Sequence, residues 1–360
     1  MMLAGKKSGI LCILGAALTL SLLSAPVQAQ SPAPAPALQD SNEDVFFRNI
    51  PGAERHAVII TGAAASDEIA DRFWQWSLSL HDILSRDYGY NEETITLLID
   101  DGGEGRQSGS RVDGSSRRAD IDSAFASLSE RVRPGDQVSV FLIGHGSGAE
   151  LDAKFNIVGP DITGIEFAAL LDQLSQQDII VINTTSASYE FSAALSGRGR
   201  VIVSATRSQA ERYDPMFGRY LIEALDGRAG DRDKNNRVSV LEAFTYAGSS
   251  VLGWYRDQGR LPTERAVLDD NGDGVFSIEP SPGAGDGGLA EIAYLDAPSA
   301  SAQKSSAEAQ QLMAEMQDLE RSVFLLRGQK ANYLEEDYWD RMETLLIELA
   351  RKTGRYNELP

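Results

Sequence analysis

Two apolar runs in this chain end in residue types that suit acid–base and nucleophilic chemistry. The first, QVSVFLIGHGSG, opens at Gln137, stops at Gly144 and presents His145. The second, DIIVINTTSAS, opens at Asp178 and ends in a cluster of hydroxyls from Thr184 to Ser188. A histidine beside a small hydroxyl residue can accept its proton and turn it into a nucleophile for amides or esters. A serine hydroxyl, unlike a thiol, also needs its base to be oriented by a third group. No Asp or Glu in the neighbourhood is an evident orienter. A hydroxyl cluster after a strand also serves as an ordinary helix N-cap, and a histidine at a strand end can be structural.

Acidic loops offer a second chemistry. In Asp231 to Glu242 (DRDKNNRVSVLE) the oxygen donors follow the order of a twelve-residue calcium loop. Asp231, Asp233 and Asn235 stand at positions one, three and five, and the Arg237 carbonyl at seven. Ser239 stands at nine and Glu242 at twelve, as the bidentate ligand. Asn236 takes the usual glycine position, where Asn tolerates the left-handed conformation better than most residues. Val238 supplies the apolar residue at eight. A second stretch, DDNGDGVFSIEP from Asp269, offers Asp269, Asn271 and Asp273 with Gly274 in place. Its twelfth residue is Pro280, and Glu279 is one residue early. Asx-rich turns capping the next element explain either loop without a metal. Calcium is expected at the first loop and a turn at the second.

The elements that must position these groups read as alternating strands and helices. HAVIITG (His56 to Gly62) is a buried strand, and Ser66 to Tyr88 shows helical spacing through Ile69, Phe73, Trp76, Leu80 and Leu84. TITLLI (Thr94 to Ile99) is a second strand, followed by a polar loop from Asp100 to Ser116 and a helix from Ala119 to Val132. After His145 come a short strand-like piece around Phe155 to Val158 and a helix from Asp161 to Ser175. Ile179 to Asn183 and Val201 to Ser204 are strands, and Phe217 to Leu225 and Val240 to Tyr255 are helices. This alternation implies parallel βαβ units in a three-layer α/β/α sandwich. Parallel strands deliver His145 and the hydroxyl cluster to the same sheet edge, where such folds place ligands.

In this order the pieces resemble the caspase-like cysteine peptidases, and within them the legumain-like branch. The resemblance covers roughly His56 to Asp273. HAVIITG is similar to the family's opening strand, VFLIGHGSG to its histidine strand, and VIVSATRS to the strand and loop beside the substrate pocket. INTTSASYEF falls where relatives carry an acidic-Ala-Cys-x-Ser-Gly stretch. Placing Ser188 on the family's serine puts Ser186 at the nucleophile position, with Tyr189 in place of the glycine; a shifted register puts Thr185 there. The resemblance implies a caspase-like fold, His145 as the base and backbone N–H groups near Gly146 as oxyanion donors. Arg72 and Arg207 are candidate substrate-recognising groups or surface arginines. His56 and His81 do not match the family's histidine and are read as structural.

Composition narrows the classes. Lys6 and Lys7 precede an apolar run from Ile10 to Leu23 and then Val27-Gln28-Ala29, so residues 1–29 are expected to be a cleaved export signal. The chain's one cysteine, Cys12, lies in that run, and the exported protein is expected to carry no thiol. The net charge of −20 argues against nucleic acid and anionic membrane surfaces and suits solubility, as of a well-solvated secreted protein, or cation binding. Residues 30–50 read as a Pro/Ala-rich linker, 51–280 as the caspase-like domain and 281–305 as a second linker. In 306–360, Leu312, Met316, Leu319, Val323 and Leu326, then Tyr338, Met342, Leu345 and Leu349, recur at helical spacing. They predict a helical hairpin whose seams bury against each other, their own domain or a protein partner. The expected function is an exported peptidase homologue, located in a periplasm or outside the cell and lacking its thiol, that binds peptides or acts as a scaffold. Ser186–His145 hydrolysis and an envelope assembly role through the C-terminal helices are the alternatives. No membrane span is expected after signal cleavage.

Overall fold

A computed structural model describes residues 46–47, 50, 52–103, 111–174, 176–282, 285–296 and 306–359. The expected export segment and most of the first linker lie outside these residues, as does 297–305. All described residues fall in the unit 44–360.

In chain order the first half forms β1 (Arg55–Thr61), α1 (Asp67–Asp87), β2 (Ile95–Ile99), α2 (Arg118–Arg131) and β3 (Gln137–Ile143). Three two-residue strands follow, β4 (Gly146–Ser147), β5 (Lys154–Phe155) and β6 (Ile162–Thr163), then α3 (Gly164–Leu171) and β7 (Asp178–Asn183). The second half forms α4 (Tyr189–Ala193), β8 (Arg200–Ser204), α5 (Phe217–Leu225), α6 (Val240–Asp257), β9 (Val267–Asp269) and α7 (Gly288–Ile292). Two longer helices close the chain, α8 (Ala307–Gly328) and α9 (Glu335–Glu358).

Six strands make the central sheet in the order β2-β1-β3-β7-β8-β9, all parallel except β9, which runs antiparallel to β8. Every residue of β1, β3 and β7 is buried. Parallel strands covered on both faces require such continuous apolar runs. Ala57 and Ile59 of β1 cluster with Phe73 and Leu84 of α1, Leu221 of α5 and Ala247 of α6. Val58 and Ile60, pointing the other way, cluster with Phe125 of α2, Phe167 of α3 and Phe191 of α4. The sheet therefore has helices on both faces, an architecture compatible with three layers.

Two local expectations are corrected, and one strand is added. The helix expected from Asp161 starts at Gly164, because Ile162 and Thr163 pair with β5 and Thr163 then caps α3 in a reciprocal box with Glu166. Strand β9 carries no readable signal, since three residues are too few to show a period. The core also continues past Pro280, where the composition turns polar: Ala290, Ala293 and Leu295 are fully buried. Small residues pack there without a hydrophobic run to announce them.

Helices α8 and α9 are joined by ion pairs, Lys352–Glu315 at 2.6 Å and Arg355–Glu308 at 2.6 Å. Leu326, Tyr338 and Met342 bury one another between them. Arg327 of α8 reaches Glu291 of α7 at 2.8 Å. Trp339, Leu346 and Ile347 of α9 stay exposed. Among the described residues, no helix is long and apolar enough to cross a membrane.

Candidate functional site

Strands β3 and β7 are neighbours in register, with Leu142 opposite Asn183, so their carboxyl ends open on one edge of the sheet. Gly144 leaves β3 with φ 155° against Gly62 and the Phe155 ring, where a side chain would be tight and strained. A Cβ on Gly146 would collide with the Ser186 carbonyl oxygen. The turn that carries His145 is thus pressed onto the turn that carries the hydroxyls.

Each hydroxyl has a distinct environment. Thr185 donates to Asn183 Oδ1 at 2.8 Å, and its own N–H bonds the same oxygen at 3.1 Å. Ser188 lies in a closed set with Ser204 Oγ and Thr206 Oγ1 at 2.8 and 2.9 Å. Ser186 Oγ accepts a long bond, 3.5 Å, from the Gly146 N–H. Both register choices border the histidine turn: Ser186 Oγ through this bond, and Thr185 Oγ1 at 3.2 Å from where a Cβ on Gly146 would stand. Ser186 is nevertheless only 3% exposed. The next residue, Ala187, is held at φ 47° while its N–H bonds the Glu211 carbonyl at 3.0 Å. Strained left-handed residues persist where the surroundings over-determine them.

An acid does stand beside His145, and it is Asp214. Its Oδ1 lies 3.2 Å from His145 Nδ1, and its Oδ2 accepts from Arg72 Nη2 at 2.5 Å. No local pattern in the sequence marks it, because Asp214 lies in the β8–α5 loop and meets His145 only through the fold. Glu264 anchors the end of that loop by accepting from the N–H groups of Met216 and Phe217 at 2.8 and 3.1 Å. Burial pushes the Glu264 carboxyl above its ordinary range. His145 packs edge-on to Phe73, with ring centroids 5.3 Å apart, and its Nε2 is buried without a hydrogen-bond partner.

Arg72 therefore stands at the site, but its charge is engaged by Asp214 and its guanidinium lies 5.7 Å from the Phe73 and Trp76 rings. Arg207 pairs within its own loop, Nε to Glu211 Oε1 at 3.3 Å. His56 is buried at the start of β1, where desolvation holds its imidazole below the ordinary histidine range.

Among the described residues, two groups of side chains bring ligand atoms within 4.8 Å of one another, Glu54–His56–Asp136 and Asp231–Asp233–Glu242. In the first, both Asp136 oxygens already accept backbone N–H groups, from Glu54 at 2.7 Å and Arg133 at 2.8 Å. In the second, Asn236 adopts φ 65°, as the expected glycine position demands. Ser239 and Glu242 form the capping box of α6, and Glu242 Oε1 also accepts from Arg232 N–H at 2.9 Å. No family model matches this chain, and no curated protein matches it.

Proposed function

We propose that the protein is an exported homologue of the legumain-like, caspase-fold peptidases, with Ser186 in the place of the thiol. In this reading it binds peptide or protein segments at the His145 edge without cleaving them, and the C-terminal helices form the expected hairpin. One observation carries the reading: the Ser186 hydroxyl faces the Gly146 N–H and makes no hydrogen bond to His145 among the described residues. Nucleophile and base normally lie within hydrogen-bond reach. The N–H that would hold an oxyanion is directed instead at the hydroxyl itself.

A second reading is favoured by Asp214. A Ser–His–Asp set supplies the third group that a serine nucleophile needs. His145 Nε2 would take the Ser186 proton as Oγ bonds to the substrate carbonyl carbon, and would return it to the leaving group. Asp214 would hold Nδ1 and stabilise the imidazolium. Hydrogen bonds between catalytic groups are often long before substrate binds, so the present spacing is compatible with this chemistry too.

A fluorophosphonate probe on the folded full chain separates the two. The binding reading expects no labelling of wild type, and weaker capture of a peptide library by His145→Ala. Labelling that Ser186→Ala and His145→Ala abolish, and that Asp214→Asn weakens, would replace it with a serine hydrolase.

A further inference from the structure

The loop Asp231–Glu242 lies apart from the His145 edge, and its geometry stands whichever reading of that edge holds. Its backbone is wrapped inward by its own side chains. Asn236 N–H bonds Asp231 Oδ2 at 3.0 Å, Asn235 N–H bonds Asp233 Oδ1 at 3.0 Å, and Arg237 N–H bonds Asn235 Oδ1 at 2.7 Å. These bonds only shape the loop. The observation that points to a ligand is the remaining oxygen of Asp231. This residue is 9% exposed, and its Oδ1 is buried with no hydrogen-bond partner. A buried carboxylate oxygen left unpaired is costly unless a cation or donor meets it.

We infer that this loop binds a calcium ion through Asp231, Asp233, Asn235, the Arg237 carbonyl and Glu242. Three carboxylates within 4.8 Å repel one another without a cation between them. Every donor in the set is an oxygen, which selects a hard ion over a thiolate- or imidazole-seeking metal. A carboxylate at the twelfth position and a carbonyl at the seventh suit the larger, flexible shell of Ca²⁺ rather than the strict octahedron of Mg²⁺. The neighbouring cation does not fill the space, since Lys234 Nζ is bonded to the Asp231 carbonyl at 2.8 Å.

The site has a structural consequence. Asn235 Nδ2 donates to the Tyr294 hydroxyl at 3.2 Å, and the Arg237 guanidinium lies 3.8 Å from the Tyr294 ring centre. Arg237 also pairs with Asp296 at 2.9 Å, and the Val240 N–H bonds the Ala293 carbonyl at 2.9 Å. An ion that fixes Asn235 and Arg237 thereby fastens the strap from α7 to Asp296 onto the loop.

Tyr294 also makes the test direct. The full chain, stripped with a chelator, is titrated with Tb³⁺ while tyrosine is excited, and Ca²⁺ is then added in competition. Saturable luminescence that Ca²⁺ displaces and equal Mg²⁺ does not is the expected result. Asp233→Ala, at an exposed position, should weaken Ca²⁺ binding at least about tenfold while remaining folded. Tyr294→Phe should lose most of the luminescence but keep calorimetric Ca²⁺ binding, and Asp273→Ala should change neither. Absence of saturable Tb³⁺ and Ca²⁺ binding in wild type overturns the inference. So does binding that survives Asp233→Ala unchanged but fails in Asp273→Ala.

Discussion

The two acidic loops fold alike and end differently. In Asp269–Pro280, Gly274 N–H bonds Asp269 Oδ2 at 3.1 Å, Asp273 N–H bonds Asn271 Oδ1 at 2.8 Å, and Val275 N–H bonds Asp273 Oδ1 at 2.7 Å. The same three bonds, at the same three positions, shape Asp231–Glu242. Yet the second loop spends its carboxylates on the protein. Asp269 also accepts from Ser196 Oγ and Gly272 N–H, while Asp270 caps α7 through the N–H groups of Gly287 and Ala290. Asp286 accepts from the Asp270 N–H at 3.2 Å. The first loop retains a buried, unpaired oxygen and a glutamate at its twelfth position; the second has neither. If the first loop alone binds calcium, as inferred, backbone shape alone does not make an ion site. Both Glu242 oxygens also accept protein hydrogen bonds, so the difference in pairing comes down to one oxygen, Asp231 Oδ1.

The largest effect expected from breaking this contrast is Glu242→Gln. Glutamine keeps the capping box with Ser239, since either residue serves at that position, but it removes one charge, the bidentate carboxylate and the oxygen that accepts the Arg232 N–H. Calcium affinity measured by calorimetry should fall about a hundredfold, while the helix content by circular dichroism stays unchanged. An unaltered affinity would remove Glu242 from the ligand set.

Charge crowding in the second loop gives the next effect. Burial, and then the neighbouring carboxylates of Asp270, Asp269 and Asp273, push the Asp286 carboxyl up to about 6. A carboxyl raised this way binds its proton more tightly in the folded than in the unfolded state. Its contribution to stability is therefore lost as pH rises from about 4 to about 6. Asp286→Asn keeps an oxygen for the Asp270 N–H and cannot ionise. It should add about 2 kcal/mol at pH 7 and flatten part of the slope. Urea unfolding at pH 4.5 and 7.5 reads both. A loss of stability at pH 7 would show that a bound cation, not repulsion, governs this cluster.

The sequence carried the strands that matter because each is an apolar β-branched run ending in Gly or a hydroxyl, so β3 and β7 and the edge they share were legible. The spacing of oxygen donors in both acidic loops was legible for the same reason: it is local. Asp214 was not, since nothing around Tyr213-Asp214-Pro215 signals a partner that arrives through tertiary packing. The strap at Ala290, Ala293 and Leu295 looks like linker in sequence because residues among Ser, Gly and Pro show no amphipathic period, though these three are fully buried. The unpaired Asp231 oxygen is likewise a property of the fold. Spacing names a set of donors, and only the surrounding backbone decides which of them are already occupied.

The smallest effect, and the sharpest test of the comparison, is Ser196→Ala. The Ser196 hydroxyl supplies Asp269 with a bond that Asp231 has no counterpart for. Removing it leaves Asp269 with the N–H groups of Gly272 and Gly274, so the cost should be about 1 kcal/mol rather than that of an orphaned charge. The variant makes the second loop more like the first in one respect only. With Pro280 at position twelve it still lacks the bidentate acid. Its denaturant midpoint should therefore drop by the same amount in calcium and in chelator. A drop that calcium restores would mean that a position-one carboxylate bonded only by backbone N–H groups is sufficient for ion binding, and that Glu242 is not what separates the two loops.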